Sequence, residues 1–234
     1  MKNGTLTEAR IDESARRLLR GKFELGLFDN PFVDATAAET IVGGAAARAE
    51  GVAAQAAAHT VLTNASEGPA RLPLGPGLRV YAEGVPPSSF ADRATVVETP
   101  AEADVAVLRL QAPFEQRGEQ GTIESFFRAG SLEFPPAEVA RVQAIAATVP
   151  TIVDVYLDRP AILDPLAESA AALIVNFGAS AEAFIRVLFG AAQPLGRLPF
   201  DIPSSMAAVE ASRPDVPFDT AGATFRFGDG LSLS

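Results

Sequence analysis

The chain has 234 residues, 48% hydrophobic and 21% charged, which is enough apolar material for one large globular domain, or one domain with an arm, and excludes a disordered chain. A formal charge of -10, with no cluster of Lys and Arg beyond the first predicted helix, excludes nucleic acid and other polyphosphates as partners. The absence of Cys excludes disulfides, thiol catalysis and Cys-ligated metals, and a single histidine leaves no His-rich metal site, so no metal or cofactor is expected.

Taken in chain order, the start Met1-Lys2-Asn3-Gly4-Thr5 lacks an apolar signal core, and no apolar run reaches the roughly 18 residues that span a bilayer. A soluble, cytoplasmic protein without membrane contact is expected, unless a longer parent chain carries a secretion signal. Thr7 is placed to cap an amphipathic helix over residues 8–20, with Ile11, Ala15, Leu18 and Leu19 at helical spacing. Gly26, Asn30 and Pro31 then turn the chain, so residues 21–34, GKFELGLFDNPFVD, read as the exit from a domain. Their apolar groups have nothing local to cover them.

Residues 36–59 are Ala-rich and helix-prone, and Gly43, Gly44 and Gly51, each costing about 1 kcal/mol against Ala, allow two helices there. Short strands follow over 78–82, 93–98 and 104–110. The near-continuous apolar runs 151–157 and 172–177 have the composition of strands buried on both faces. Helices over 136–148, 161–169 and 181–189 fit between and after them, and 225–231 reads as a last strand and turn. The alternation predicts an α/β fold: a mostly parallel sheet with helices on both faces, a flavodoxin-like three-layer sandwich preceded by a helical arm. The divide falls between residues 1–34 and 35–234.

In such sheets ligands meet the loops at the carboxyl ends of the strands. The long connection 111–134, QAPFEQRGEQGTIESFFRAGSLEF, follows the strand 104–110 and is functional, disordered or lid-like by length alone. It carries Glu115, Glu119, Glu124 and Glu133, with Arg117 and Arg128, interleaved with Phe114, Phe126, Phe127 and Phe134. Carboxylates beside aromatic rings suit a carbohydrate site, since an apolar wall turns a carboxyl toward acid duty and rings stack on sugar faces. Each Glu read alone is better explained as a solvated loop charge or an Arg partner, because Asp and Glu are mostly exposed.

Five segments in order, KFELGLFDNPFVD, APFEQR...ESFFRAGSLEF, TIVDVYLDRPAIL, GAAQPLGRLPFDIPSSM and FRFGDGLSLS, together resemble the second, α/β sandwich domain of glycoside hydrolase family 3, over nearly the whole chain. The resemblance implies a two-domain β-glucosidase-like enzyme. An amino-terminal barrel carries the nucleophilic Asp, and a loop of the sandwich supplies the acid/base Glu. Residues 1–34 would then be the last barrel helix and the linker leaving it, and the barrel would come from a longer parent chain or in trans. By the family pattern the acid/base role falls on Glu115, reached through Pro113 and Phe114, with Glu124 as second choice. Phe114, Arg117, Phe126, Phe127 and Arg128 are the candidate residues for the sugar, although for Phe126 and Phe127 the strand-helix connection favours core packing over a sugar wall. A carbohydrate is the expected substrate, and the uncovered barrel-facing surface gives a possible route to homo-oligomers.

His59 reads as a packing residue of the Ala-rich helix. Asp154, inside a buried strand, needs a partner, for which Arg159 or a backbone donor is the candidate, and Asp158 follows it. The other functions kept open are a non-catalytic carbohydrate-binding or regulatory relic and a flavodoxin-like scaffold for protein interaction.

Overall fold

A computed structural model describes residues 5–233, so the start of the chain before Thr5 lies outside the described residues. The chain divides into two compact units, Met1–Arg48 and Ala49–Ser234. In the first, helix α1 (Glu8–Glu24) begins where the side chain of Thr7 accepts from the backbone N–H of Arg10 at 3.2 Å. It runs four residues past its predicted end. The i,i+4 pairs Arg17–Glu13 and Arg20–Glu24 favour the last turns, and the chain leaves the helix through Gly26 at φ +67°. Phe23 and Phe28 face each other at 4.6 Å, and Leu18, Phe23, Leu25, Phe28, Phe32 and Val33 are all exposed.

Helix α2 (Ala35–Ile41) is capped by Asp34, whose carboxylate accepts from the N–H groups of Thr36 and Ala37. Helix α3 (Ala45–Ala57) follows, so the Ala-rich segment is two helices, broken at 42–44 by Gly43 at φ +66°. Gly51 stays inside α3.

The second unit is built on a six-stranded sheet. Its strands are β1 (Thr60–Thr63), β2 (Arg79–Glu83), β3 (Thr95–Val97), β4 (Val105–Gln111), β5 (Thr151–Tyr156) and β6 (Ala172–Asn176), in the order β1-β6-β5-β4-β2-β3. Every pairing is parallel except the edge strand β1, which runs antiparallel to β6. The sheet is the mostly parallel one that the alternating pattern predicts, while β1 was not predicted as a strand. Four residues with no turn signal before them carry no period, and β1 exists because β6 offers an open edge.

Strand alternation divides the core. One face buries Ala106, Leu108, Val153, Val155 and Leu173 against helices α4 (Pro136–Thr148) and α5 (Asp164–Ala167). The other buries Val105, Val107, Ile152 and Ile174 under helix α6 (Ala181–Leu188), which contributes Phe184 and Ile185. Helix α5 is one turn, not the predicted 161–169, because residues 161–163 are committed to a loop in which the N–H of Ile162 donates to the carbonyl of Leu132 at 2.9 Å. A two-stranded ribbon, β7 (Ile202–Pro203) with β8 (Ala223–Phe225), flanks helix α7 (Met206–Ala211). The predicted final strand starts two residues earlier, and Leu231 bridges back to Val61. Among the described residues no helix is long and apolar enough to cross a membrane.

His59 sits just past α3, fully buried, stacked on Phe184 at 5.8 Å, with Nδ1 3.0 Å from the carbonyl of Gln55 and Nε2 without a partner. Burial pushes its pKa down from 6.5 to about 4, against the pull of the Gln55 and Ala56 carbonyls. The unfolded chain therefore takes up this proton first. The contribution of His59 to stability is complete above pH 6.5 and falls as pH drops toward 4, by on the order of 3 kcal/mol. His59→Phe keeps a ring against Phe184, so urea midpoints of wild type and variant should diverge across this window, with the variant the less pH-sensitive of the two.

Candidate active site

The traversal of the sheet reverses between β2 and β4, and the loop 111–134 leaves the carboxyl end of β4 beside that switch point. A carboxyl-end loop of this length needs anchors to hold a side chain in place. The backbone supplies the first, as the N–H of Glu115 donates to the carbonyl of Ala129 at 2.9 Å and ties the two limbs of the loop together. Arg159, just past β5, supplies the second by donating to the carbonyls of Ala129 at 2.5 Å and Gly130 at 2.9 Å. Arg128 is the third: its Nε donates to Asp158 Oδ2 at 2.7 Å, and its guanidinium lies 3.9 Å above the ring of Phe114. Gln111 reaches the same Asp158 oxygen at 3.3 Å, and Asp158 Oδ1 is buried without a partner.

These anchors place the predicted residues in two groups. Phe114, Glu115, Arg117 and Arg128 come together at the base of the loop, with Arg117 Nη2 3.3 Å from Glu115 Oε2. Both side chains of that pair are about three-fifths exposed, at 61% and 60%, so solvent screens it and it leaves Glu115 free to exchange partners. Gly130, at φ +84°, passes so close that a Cβ there would lie 2.3 Å from the Glu115 Cδ. A side chain at this position would displace the Glu115 carboxylate from where it lies, and the left-handed φ itself favours glycine.

The second group lies farther along the loop. Glu124 sits on a short 3-10 turn, Ile123–Phe126, with Gly118 packed opposite, and its carboxylate makes no hydrogen bond or ion pair among the described residues. Phe126 and Phe127 are 76% and 65% exposed, so neither packs the core. A polar loop that rises clear of the sheet leaves them no apolar surface to bury. Beside the loop base lies a groove of about 310 Å³ lined by Gln111, Pro113, Phe114, Phe134 and Glu138.

Under the neighbouring strand ends is a polar network that the sequence pairs differently. Asp154 is fully buried, but its partners are Arg109, whose Nε is 3.0 Å from Oδ2, and Asn176, whose Nδ2 donates to both carboxylate oxygens. Arg159, the expected partner, is occupied by the loop carbonyls. Register explains the correction: Arg109 on β4 stands directly opposite Asp154 on β5, and no spacing within the sequence shows which strands are neighbours. Burial raises the Asp154 pKa to about 6 against the lowering pull of Arg109 and Asn176, so it is a carboxylate at neutral pH. Asn176 Oδ1 in turn accepts from the N–H groups of Gly178 and Ala179, fixing the entry to α6. A hollow of about 360 Å³ lined by Arg109, Gln111, Tyr156, Asn176, Gly178 and Ala179 opens above it.

Comparison with known proteins places this architecture. Residues 14–233 match the Glycosyl hydrolase family 3 C-terminal domain. Beta-glucosidase C of Emericella nidulans is 48% identical over 235 residues, covering 99% of this chain and 37% of the fungal protein. A periplasmic beta-glucosidase/beta-xylosidase of Dickeya chrysanthemi is 40% identical, covering 99% of this chain and 35% of its own length. The chain thus spans little more than a third of these relatives. The crystal structure of a beta-glucosidase from Listeria innocua in complex with gluconolactone superposes with a TM-score of 0.73 at 20% identity, over 99% of this chain and 40% of that one.

Proposed function

Because the chain belongs to the carboxyl-terminal domain family of the family 3 glycosyl hydrolases, we propose that it is the sandwich part of a retaining β-glycosidase and contributes the acid/base loop and part of the sugar subsite. Retaining hydrolysis needs two carboxylates about 5 Å apart, one to attack the anomeric carbon and one to protonate the leaving oxygen and then deprotonate water. Glu115 takes the second role in this reading, and Phe114, Arg117 and Arg128 shape the site around it, with Phe126, Phe127 and Glu124 on the outer limb. The attacking carboxylate belongs to a barrel domain outside this sequence, so the sandwich alone is inactive. Residues 1–34 are the last helix of that barrel and the linker from it, and the exposed Leu18, Phe23, Phe28 and Phe32 are covered there when the barrel is present.

The observation that carries the reading is the clasped loop base at the carboxyl end of β4, where the backbone bond Glu115–Ala129 and the Arg159 clamp hold the backbone that carries the Glu115 carboxylate, and the absence of a side chain at Gly130 leaves space beside it. Mixing the purified chain with the amino-terminal part of the Emericella nidulans relative should raise hydrolysis of an aryl β-glucoside well above that of either piece. No gain over the amino-terminal part alone would overturn the proposal.

A further inference from the structure

We propose that the hollow between the 3-10 turn Pro87–Phe90 and helix α6 is a binding site for a small oxyanion of the phosphate or sulfate class. It is a cavity of about 450 Å³ lined by Ser89, Arg93, Glu182, Ile185, Arg186 and Ala191. Within 49–233, every arginine except Arg71, Arg93 and Arg186 has its guanidinium bonded to a carboxylate, a hydroxyl or a backbone carbonyl. Two of those three exceptions line this one hollow. In a chain of charge -10, with carboxylates in excess, a pair of cations left without acceptors is the reverse of what surface pairing gives.

The two guanidinia are held differently, and both are half-buried. Arg93 lies 5.8 Å from the ring centroid of Phe189, a contact with the ring face that uses none of its N–H donors. Arg186 projects from α6 next to the buried Ile185, which keeps water from that side of the hollow. Each guanidinium presents several N–H donors in a planar fork that matches a tetrahedral oxyanion, and the Ser89 hydroxyl adds another. Glu182, one turn before Arg186, is the internal competitor. It forms no ion pair with Arg186 in this structure, but its charge opposes an incoming anion.

The site is separate from the clasped loop, since α6 covers the sheet face opposite α4, into which the loop runs. Binding can therefore be read on this chain by itself, whatever becomes of the glycosidase reading. Calorimetric titration with inorganic phosphate, with sulfate and with glucose 6-phosphate, at ionic strength held constant with chloride, should give saturable 1:1 binding. Arg93→Ala and Arg186→Ala should each weaken it about tenfold, as expected for loss of one charge-assisted contact, and Glu182→Gln should tighten it. Equal affinities for phosphate and glucose 6-phosphate assign the site to the free anion, and tighter binding of the sugar phosphate assigns it to an ester group. Absence of saturation at constant ionic strength overturns the proposal. So does unchanged affinity in the Arg93→Ala/Arg186→Ala double variant, whose circular dichroism and melting curve report that it is folded.

Discussion

Asp154→Ala is expected to destabilise the second unit by about 3–5 kcal/mol, because it leaves the Arg109 guanidinium in a nearly closed site without its counter-charge. Arg109 is only 14% exposed at the side chain and its Cζ lies 5.4 Å from the ring centroid of Phe184, so it cannot turn to water without disturbing α6. Asn176 loses its carboxylate acceptor in the same step, and with it the hold on the Gly178 and Ala179 N–H groups. The lesion is the orphaned charge more than the lost attraction. Asp154→Leu combined with Arg109→Met should therefore recover much of the loss, since apolar groups of similar volume replace buried ion pairs at little cost. Denaturant titrations of the two variants check this, and a double variant no better than Asp154→Ala would show that the pair itself supplies the stability.

The pH dependence of this carboxylate runs opposite to that of His59. A pKa raised from 3.8 to about 6 means that the folded state holds its proton more tightly than the unfolded chain does. Its contribution is present below pH 3.8 and is lost as pH rises through 6. Between pH 4 and 6 the two buried groups partly offset each other, which is why each has to be measured as a difference between wild type and its own variant.

How far the sequence carries is set by which interactions are local. Helix α1, the capping of α2 by Asp34, and strands β4, β5 and β6 are written in neighbouring residues: caps, breakers and apolar runs. The loop 111–134 was legible for the complementary reason, that it lacks any period over a length in which one would be expected. What the sequence left open depends on partners distant in the chain. The Asp154–Arg109 pair spans β5 and β4, β1 is a strand only against β6, and the Arg159 clamp closes on carbonyls that any residue could present. The exposure of Phe126 and Phe127 belongs with these, because the composition of a loop does not tell whether a ring turns in or out.

In a reconstituted two-part enzyme, Glu115→Ala is expected to lower turnover of cellobiose by 10²- to 10⁴-fold, the usual range for loss of a positioned proton donor. The loss should depend on the leaving group. A dinitrophenyl glucoside departs without protonation, so its first step needs no acid, and only the second step, in which the same carboxylate would take a proton from water, remains slowed. Added azide, a nucleophile that needs no deprotonation, should restore turnover of that substrate and yield the glycosyl azide. Glu124→Ala is the internal comparison, since its carboxylate stands on the outer 3-10 turn without partners among the described residues, whereas Glu115 has its backbone tied to Ala129 and its carboxylate beside Gly130, paired with Arg117. A leaving-group dependence that appears in Glu124→Ala and not in Glu115→Ala would move the acid/base role one turn along the loop. The clasp at its base would then serve to support the outer limb.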